Sequence, residues 1–109
     1  MKYQRLKKNT EIQRLFRRGQ RAYSDALTAI FVPAEALKMA VIVSKKHGKA
    51  VQRNRIKRLV RQAFYDTCEG VCCAVALIPK VAENYSLAAF EKSLRKCFKK
   101  IKAQQKAQP

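Results

Sequence analysis

Residues 44 to 64 read Ser44-Lys-Lys-His-Gly-Lys-Ala-Val-Gln-Arg-Asn-Arg-Ile-Lys-Arg-Leu-Val-Arg-Gln-Ala-Phe64, a basic loop that leads into a helical pattern. At about 100° per residue, five apolar side chains share an arc about 140° wide, and four polar side chains lie opposite them. The apolar set is Ile56, Leu59, Val60, Ala63 and Phe64, and the polar set is Asn54, Lys57, Arg58 and Arg61. The stretch therefore predicts an amphipathic helix that buries one face and exposes the other to a polyanion.

The basic face of this helix has no acidic partners nearby in the sequence. No Asp or Glu occurs between Glu35 and Asp66, whereas a solvated, salt-bridged helix would place an acid four residues from each cation. The whole chain has 25 Lys and Arg against 7 Asp and Glu, a formal net charge of +18 on 109 residues. Because such a charge destabilises the folded state through self-repulsion, it indicates a polyanionic partner.

The rest of the chain predicts alternating helices and strands in one domain spanning residues 1–109. The predicted elements are a helix from Thr10 to Arg18 capped by Asn9 or Thr10, strands Ala26–Val32 and Met39–Ser44, the basic helix Ala50–Asp66, a strand Cys72–Ile78 and a helix Ser86–Ala103. The predicted order also includes one optional further strand before the basic helix, without residue bounds. This order predicts an α+β fold, a small α/β sandwich in which three helices pack on a mixed central sheet. Residues 104–109 are expected to form a disordered tail.

The four cysteines do not have the spacing of a zinc site. Cys72 and Cys73 are adjacent in a predicted strand, so they point to opposite faces and cannot both reach one tetrahedral ion. We therefore expect no metal site, and reduced thiols that pack as small apolar groups. The first residues lack the apolar segment of a signal peptide, and no stretch approaches about 20 apolar residues, so we expect a cytoplasmic protein without a membrane partner.

No catalytic site is apparent among the titratable residues. Metal-assisted phosphodiester cleavage needs clustered carboxylates, and the acids here are scattered singly. They are Glu11, Asp25, Glu35, Asp66, Glu69, Glu83 and Glu91. A metal-independent ribonuclease would need a paired acid and base, but His47 is the only histidine. We expect His47 to contact phosphate or simply to be exposed in the loop, and we assign no catalytic residue.

The basic helix also carries the signature of a known family. The block Arg53-Asn-Arg-Ile-Lys-Arg58, with Val43-Ser-Lys-Lys46 before it and Leu59-Val-Arg-Gln-Ala-Phe64 after it, resembles that of the bacterial ribonuclease P protein component. The match extends to Arg5-Leu-Lys-Lys-Asn9 and to Phe16, so it covers nearly the whole chain. The resemblance implies a subunit of a ribonucleoprotein endoribonuclease whose catalytic part is RNA.

Several further expectations depend on this resemblance alone. The partners would be the ribonuclease P RNA and precursor tRNA, from which the holoenzyme removes the 5′ leader. Mg²⁺ would be bound by the RNA subunit, with no cofactor bound by the protein alone, and the protein would lower the Mg²⁺ requirement. The fold would join strands Met39–Ser44 and Cys72–Ile78 in parallel through the basic helix by a left-handed crossover, against the usual right-handed rule.

The resemblance also assigns residues to two surfaces. The residues expected to bind the RNA subunit are Lys46, Lys49, Arg53, Asn54, Arg55, Lys57, Arg58 and Arg61. A cleft between the first helix and the sheet would hold the single-stranded leader through Lys8, Ile12, Phe16, Thr28, Ile30, Ser44 and Lys45. Aromatic residues are common in relatives at positions 12 and 30, so isoleucine there removes stacking worth about 1–3 kcal/mol per base. For Phe16, an ordinary core position is the alternative interpretation.

Two other classes of protein share some of these features. A ribosomal or other structural RNA-binding protein would have the same charge and fold class, and only the Arg-Asn-Arg block distinguishes it from a ribonuclease P protein. A DNA-binding regulator would need a helix pair and base-reading side chains. Beyond Asn54 and Gln62 the basic helix offers few of the latter, so no DNA partner is expected.

Overall fold

The computed structural model describes residues 3–68 and 70–107 of the chain, which form one sheet and three helices. The strands are β1 (Gln4–Arg5), β2 (Gln20–Tyr23), β3 (Leu27–Pro33), β4 (Lys38–Val41) and β5 (Cys73–Pro79). The helices are α1 (Asn9–Arg18), α2 (Ala50–Thr67) and α3 (Leu87–Ala107), and a 3₁₀ turn spans Lys45–His47. The α+β class, the mixed sheet and the three packing helices confirm the predicted fold.

The five strands are arranged in the order β1-β4-β5-β3-β2. β5 lies in the middle, antiparallel to β3 and parallel to β4. Its residues Val75, Ala76 and Leu77 are fully buried, because helices cover both faces of the sheet there. The parallel pairing of β4 with β5 confirms a crossover connection through α2, and its left hand stays a prediction.

β1 was not predicted from the sequence, and β2 supplies the further strand that was allowed for ahead of the basic helix without residue bounds. β1 consists of two residues and β2 of four, and both occupy edges of the sheet. Their sequences are Gln-Arg and Gln-Arg-Ala-Tyr, which contain few of the branched apolar residues that mark a strand. Short, polar edge strands of this kind protect a sheet from pairing with another chain.

The helices divide between the two faces of the sheet. α2 and α3 pack on one face, over a core that includes Phe31, Phe64 and Phe90. α1 packs on the other face, where Leu15 lies against Ile30 and Ala76. Because one short helix cannot cover five strands, part of the sheet surface beside α1 remains accessible.

The boundaries of several elements differ from the prediction. Lys8 is the residue that precedes α1, and no side chain caps the helix, so the predicted capping by Asn9 or Thr10 is wrong. α3 continues to Ala107, four residues beyond the predicted end, since Ala, Gln and Lys are good helix formers. Residues 108 and 109 of the expected tail lie outside the described residues.

Candidate nucleic-acid interface

The basic helix α2 has its apolar and its cationic side chains on opposite faces, as the spacing of about 100° per residue predicts, and Leu59 is the one exception. Four of the five apolar side chains are fully buried, namely Ile56, Val60, Ala63 and Phe64. Leu59 is only half-buried at the edge of the core, so the prediction of its full burial is wrong. On the opposite side Asn54, Arg55 and Arg58 are exposed, while Lys57 and Arg61 are half-buried. The packing of the apolar face therefore orients the cations away from the sheet.

A groove of about 510 Å³ runs along this cationic face. It is lined by Tyr3, Asn54, Lys57, Arg58, Arg61, Gln62 and Tyr65. No acidic side chain lines the groove, and among the described residues none forms an ion pair with its cations. Three cations, two amides and two phenol rings in one groove can contact both the phosphates and the bases of RNA.

Arg61, which lines the groove, lies close to another positive charge. Partial burial and the nearby Arg5 guanidinium lower the pKa of Arg61 from its ordinary value. Arginine remains protonated at neutral pH even so, and the repulsion between the two side chains is therefore retained in the free protein. Binding an anion between them would relieve this repulsion.

The second concavity lies beside α1 at the β1–β4 side of the sheet and has a volume of about 260 Å³. Its apolar wall consists of Leu6, Ile12, Met39, Ala40, Val41 and Ile42. Arg5, Lys7 and Arg61 also line it and give it a positive charge. The partly buried side chains Val32, Ala74 and Ile78 extend the apolar sheet surface beside α1. A cleft of this composition suits an unpaired strand, whose bases are apolar on their faces and whose backbone is anionic.

Of the seven residues predicted to form the leader cleft, Ile12 is the one that lines this concavity. Phe16 is 39% exposed one turn further along α1, so the alternative interpretation of Phe16 as a core residue is wrong. Thr28 is half-buried on β3. Ile30 is 1% exposed because α1 covers it, and it supports the cleft without offering surface to a ligand. The remaining three predicted residues, Lys8, Ser44 and Lys45, are exposed in the segments before α1 and α2.

The sequence interpretation missed several residues of these two surfaces. Tyr65 lies about 180° around α2 from Ile56, within the arc of the polar side chains, so the helical spacing alone could have assigned it to the cationic face. Tyr3, Arg5 and Lys7 reach the surfaces only because β1 pairs with β4, and the two-residue strand gave no periodic signal.

Comparison with known proteins places the chain in a family. A family model described as Ribonuclease P matches residues 1–102. The chain belongs to the ribonuclease P protein family. The ribonuclease P protein component of Shouchella clausii is 37% identical over 108 residues, covering 93% of this chain and 88% of that protein. The protein component of Bacillus velezensis is 36% identical over 111 residues, covering 97% and 96%.

Solved structures of ribonuclease P proteins have the same fold. The protein from Staphylococcus aureus superimposes with a TM-score of 0.76 at 26% identity, covering 94% of this chain and 92% of that one. The protein from Thermotoga maritima has a TM-score of 0.74 at 20% identity, which shows the fold alone. As a member of the family, the chain is a subunit of the ribonuclease P endoribonuclease, which acts in tRNA 5′ processing. The alternative of a ribosomal or other structural RNA-binding protein is not favoured by these matches.

His47 has a structural role in this ribonuclease P protein, contrary to the predicted phosphate contact or free exposure. The residue is 7% exposed, its Nε2 lies 2.7 Å from the carbonyl oxygen of Pro79, and its Nδ1 lies 3.0 Å from the backbone nitrogen of Ser44. These partners fit the neutral tautomer, in which Nε2–H donates and Nδ1 accepts. The ring thereby joins the basic loop to the end of β5, a contact between distant residues that no local sequence pattern indicates.

The four cysteines of this ribonuclease P protein, all within the described ranges, form no disulfide, and three of them are buried. Burial raises the pKa of Cys73 to about 12 and also raises the pKa of Cys97, so both remain protonated at neutral pH. These two pack as small apolar groups, as predicted, while Cys72 is exposed. Within residues 3–68 and 70–107 no three metal-ligating side chains cluster, and no helix is long and apolar enough to cross a membrane.

Proposed function

We propose that the cationic face of α2 binds the RNA subunit of ribonuclease P and that the cleft beside α1 binds the single-stranded 5′ leader of precursor tRNA. The observation that carries this proposal is the position of Arg61, which lines both the α2 groove and the α1 cleft. An RNA segment in each concavity would meet the other at this side chain. The protein would therefore bring the leader next to the catalytic RNA.

The RNA-subunit surface comprises the eight residues that the sequence indicates. They are Lys46, Lys49, Arg53, Asn54, Arg55, Lys57, Arg58 and Arg61. Arg53 supports this assignment, because its Nε is buried and has no hydrogen-bond partner among the described residues. It lines a hollow of about 250 Å³ with Asn54 and Lys57, and a phosphate oxygen there would supply the missing acceptor.

The leader surface combines one stacking platform with several cations. Phe16 is the exposed aromatic ring of α1, and Ile12 offers only an aliphatic surface one turn away. Charge must therefore contribute much of the affinity for the leader, through Arg5, Lys7 and Arg61 at the cleft and through Lys8 and Lys45 nearby. Such contacts depend little on the leader sequence, because phosphates are the same at every nucleotide.

Mg²⁺ enters this proposal through the RNA subunit. The protein contributes fixed positive charge near the point where the leader, the tRNA and the catalytic RNA bring many phosphates together. Neutralising some of those phosphates lowers their mutual repulsion, so that the RNA can assemble and bind Mg²⁺ at a lower Mg²⁺ concentration. The reaction is expected to take place in the cytoplasm, where bacterial tRNA precursors are made.

The direct test adds this protein to a bacterial ribonuclease P RNA and a precursor tRNA with a 5′ leader at a Mg²⁺ concentration too low for the RNA alone. We expect leader release to become faster, because protein cations replace part of the electrostatic role of free Mg²⁺. Gel analysis of the released leader measures the rate. Failure of the protein to accelerate cleavage over RNA alone would overturn the proposed function, and equal acceleration by polylysine of the same total charge would show that specific binding is not involved.

Phe16→Ala tests the leader cleft separately from the RNA-subunit surface. Loss of the stacking platform should weaken binding of a precursor with a leader of several nucleotides by about 1–3 kcal/mol, or roughly 5- to 150-fold. Binding of mature tRNA, which has no leader, should be unchanged. Dissociation constants for the two RNAs, measured with the reconstituted holoenzyme, give the comparison. An equal loss for both RNAs would contradict the placement of the leader beside α1.

A further inference from the structure

Two tyrosines at one end of the α2 groove are not explained by phosphate binding. Tyr65 is 46% exposed and lies directly after the buried Phe64, while Tyr3 reaches the groove from the edge of the sheet. The ring of Tyr3 packs edge-on against Phe64, with ring centroids 5.0 Å apart and an interplanar angle of 87°. Single exposed aromatic rings are common on protein surfaces. Two rings in one cationic concavity are a more specific arrangement.

The lining of the groove is ordered along the axis of α2. Four of the lining residues follow one another at spacings of three or four and therefore share one stripe of the helix, namely Asn54, Arg58, Arg61 and Tyr65. The separation of 11 positions from Asn54 to Tyr65 corresponds to about 16 Å along the helix axis. The cations occupy the middle of the stripe and the two rings its C-terminal end, so a bound strand would place phosphates at the cations and a base at the rings.

The nearest acid on the helix does not oppose such a ligand. Asp66 accepts a hydrogen bond from the Gln62 amide nitrogen at 3.0 Å and does not line the groove. This contact orients the Gln62 amide, whose side chain forms part of the groove wall next to the rings. The aromatic end therefore offers an exposed ring and a hydrogen-bonded amide, and no carboxylate lines it.

We infer that the aromatic end of the α2 groove is a binding site for one unpaired nucleotide of the RNA subunit, whose base stacks on Tyr65. This inference rests on the proposed function and adds that α2 recognises a single-stranded segment as well as phosphate charge. Base stacking on aromatic rings is the usual way in which proteins hold unpaired RNA, and it requires a base that is not already stacked in a helix. Tyr3 lines the same groove and would add a second ring to its wall.

The test compares Tyr65→Ala, Tyr65→Phe and Tyr23→Ala in binding to a bacterial ribonuclease P RNA. Tyr65→Ala should weaken binding about 5- to 150-fold, the loss of one stacked base, whereas Tyr65→Phe keeps the ring and should stay within about twofold. Tyr23 is 65% exposed on β2, at the other edge of the sheet, so Tyr23→Ala is the matched control and should bind normally. The slope of log affinity against log salt should not change in Tyr65→Ala, because no cation is removed.

A single-stranded RNA and a perfect duplex of the same length provide the second comparison. Tyr65→Ala should lower the affinity for the single strand and leave that for the duplex unchanged. Unaltered binding by Tyr65→Ala, an equal loss in Tyr65→Phe, or an equal loss on duplex RNA would each overturn the nucleotide site. The proposed function is tested separately, because it depends on whether the unsubstituted protein accelerates leader release at low Mg²⁺.

Discussion

Phe64→Ala should lower the free energy of unfolding by about 3–5 kcal/mol, the usual cost of removing a buried phenyl ring. Phe64 is fully buried, and its ring contacts those of Tyr3 and Phe98, with centroids 5.0 and 5.5 Å away. The side chain therefore joins α2 to α3 and to the segment that carries β1. Since small domains are stable by only about 5–15 kcal/mol, this loss is a large part of the total.

Arg58→Ala is the matched control for Phe64→Ala, because both residues belong to α2 but lie on opposite faces. Arg58 is exposed, so its replacement should change the stability by less than about 0.5 kcal/mol. Urea denaturation of the two variants gives the comparison through the midpoint of unfolding, with little change in the slope. Similar midpoints for the two variants would show that α2 does not bury the face that contains Phe64.

The elements that the sequence predicts are those that carry their own local pattern. α2 buries apolar side chains at helical spacing, and β3 and β5 are runs of mostly apolar residues that end at a proline, so each is visible in the sequence. β1 has no such pattern, because two residues cannot show a period and its pairing depends on β4, more than 30 residues away. Its absence from the prediction also hid Arg5 and Lys7 at the cleft.

The same distinction between local and distant contacts explains the errors at single residues. His47 follows two lysines in a basic loop, and only the fold brings Pro79 within hydrogen-bond distance of its ring. Ile30 has the alternation of a residue facing the α1 side, but the depth at which α1 covers it depends on the placement of Leu15. Family resemblance assigns residues to a surface, and only packing determines which of them remain accessible.

Affinity for the RNA subunit should fall log-linearly with salt, since the proposed α2 surface binds phosphates. If six phosphates are neutralised, the slope of log affinity against log salt should be about −4 to −5, a loss of roughly 300- to 1,000-fold between 50 and 200 mM. Filter binding at four or more salt concentrations measures the slope. A flat dependence would contradict phosphate binding as the main contribution.

The position of the charge, as opposed to its total amount, can be tested with two matched triple variants. Replacing Lys57, Arg58 and Arg61 together by Gln should make the slope of log affinity against log salt less negative by about 2–3, because that many phosphate contacts are lost. The control variant replaces three exposed lysines of α3 that lie outside the α2 groove, Lys92, Lys96 and Lys99, by Gln. It removes the same charge as the α2 variant. At 0.1 M salt, exposed charges act over only about 10 Å, so the α3 variant should keep nearly the full slope. Equal changes in both variants would mean that RNA responds to the net charge of +18 and not to a surface formed by α2.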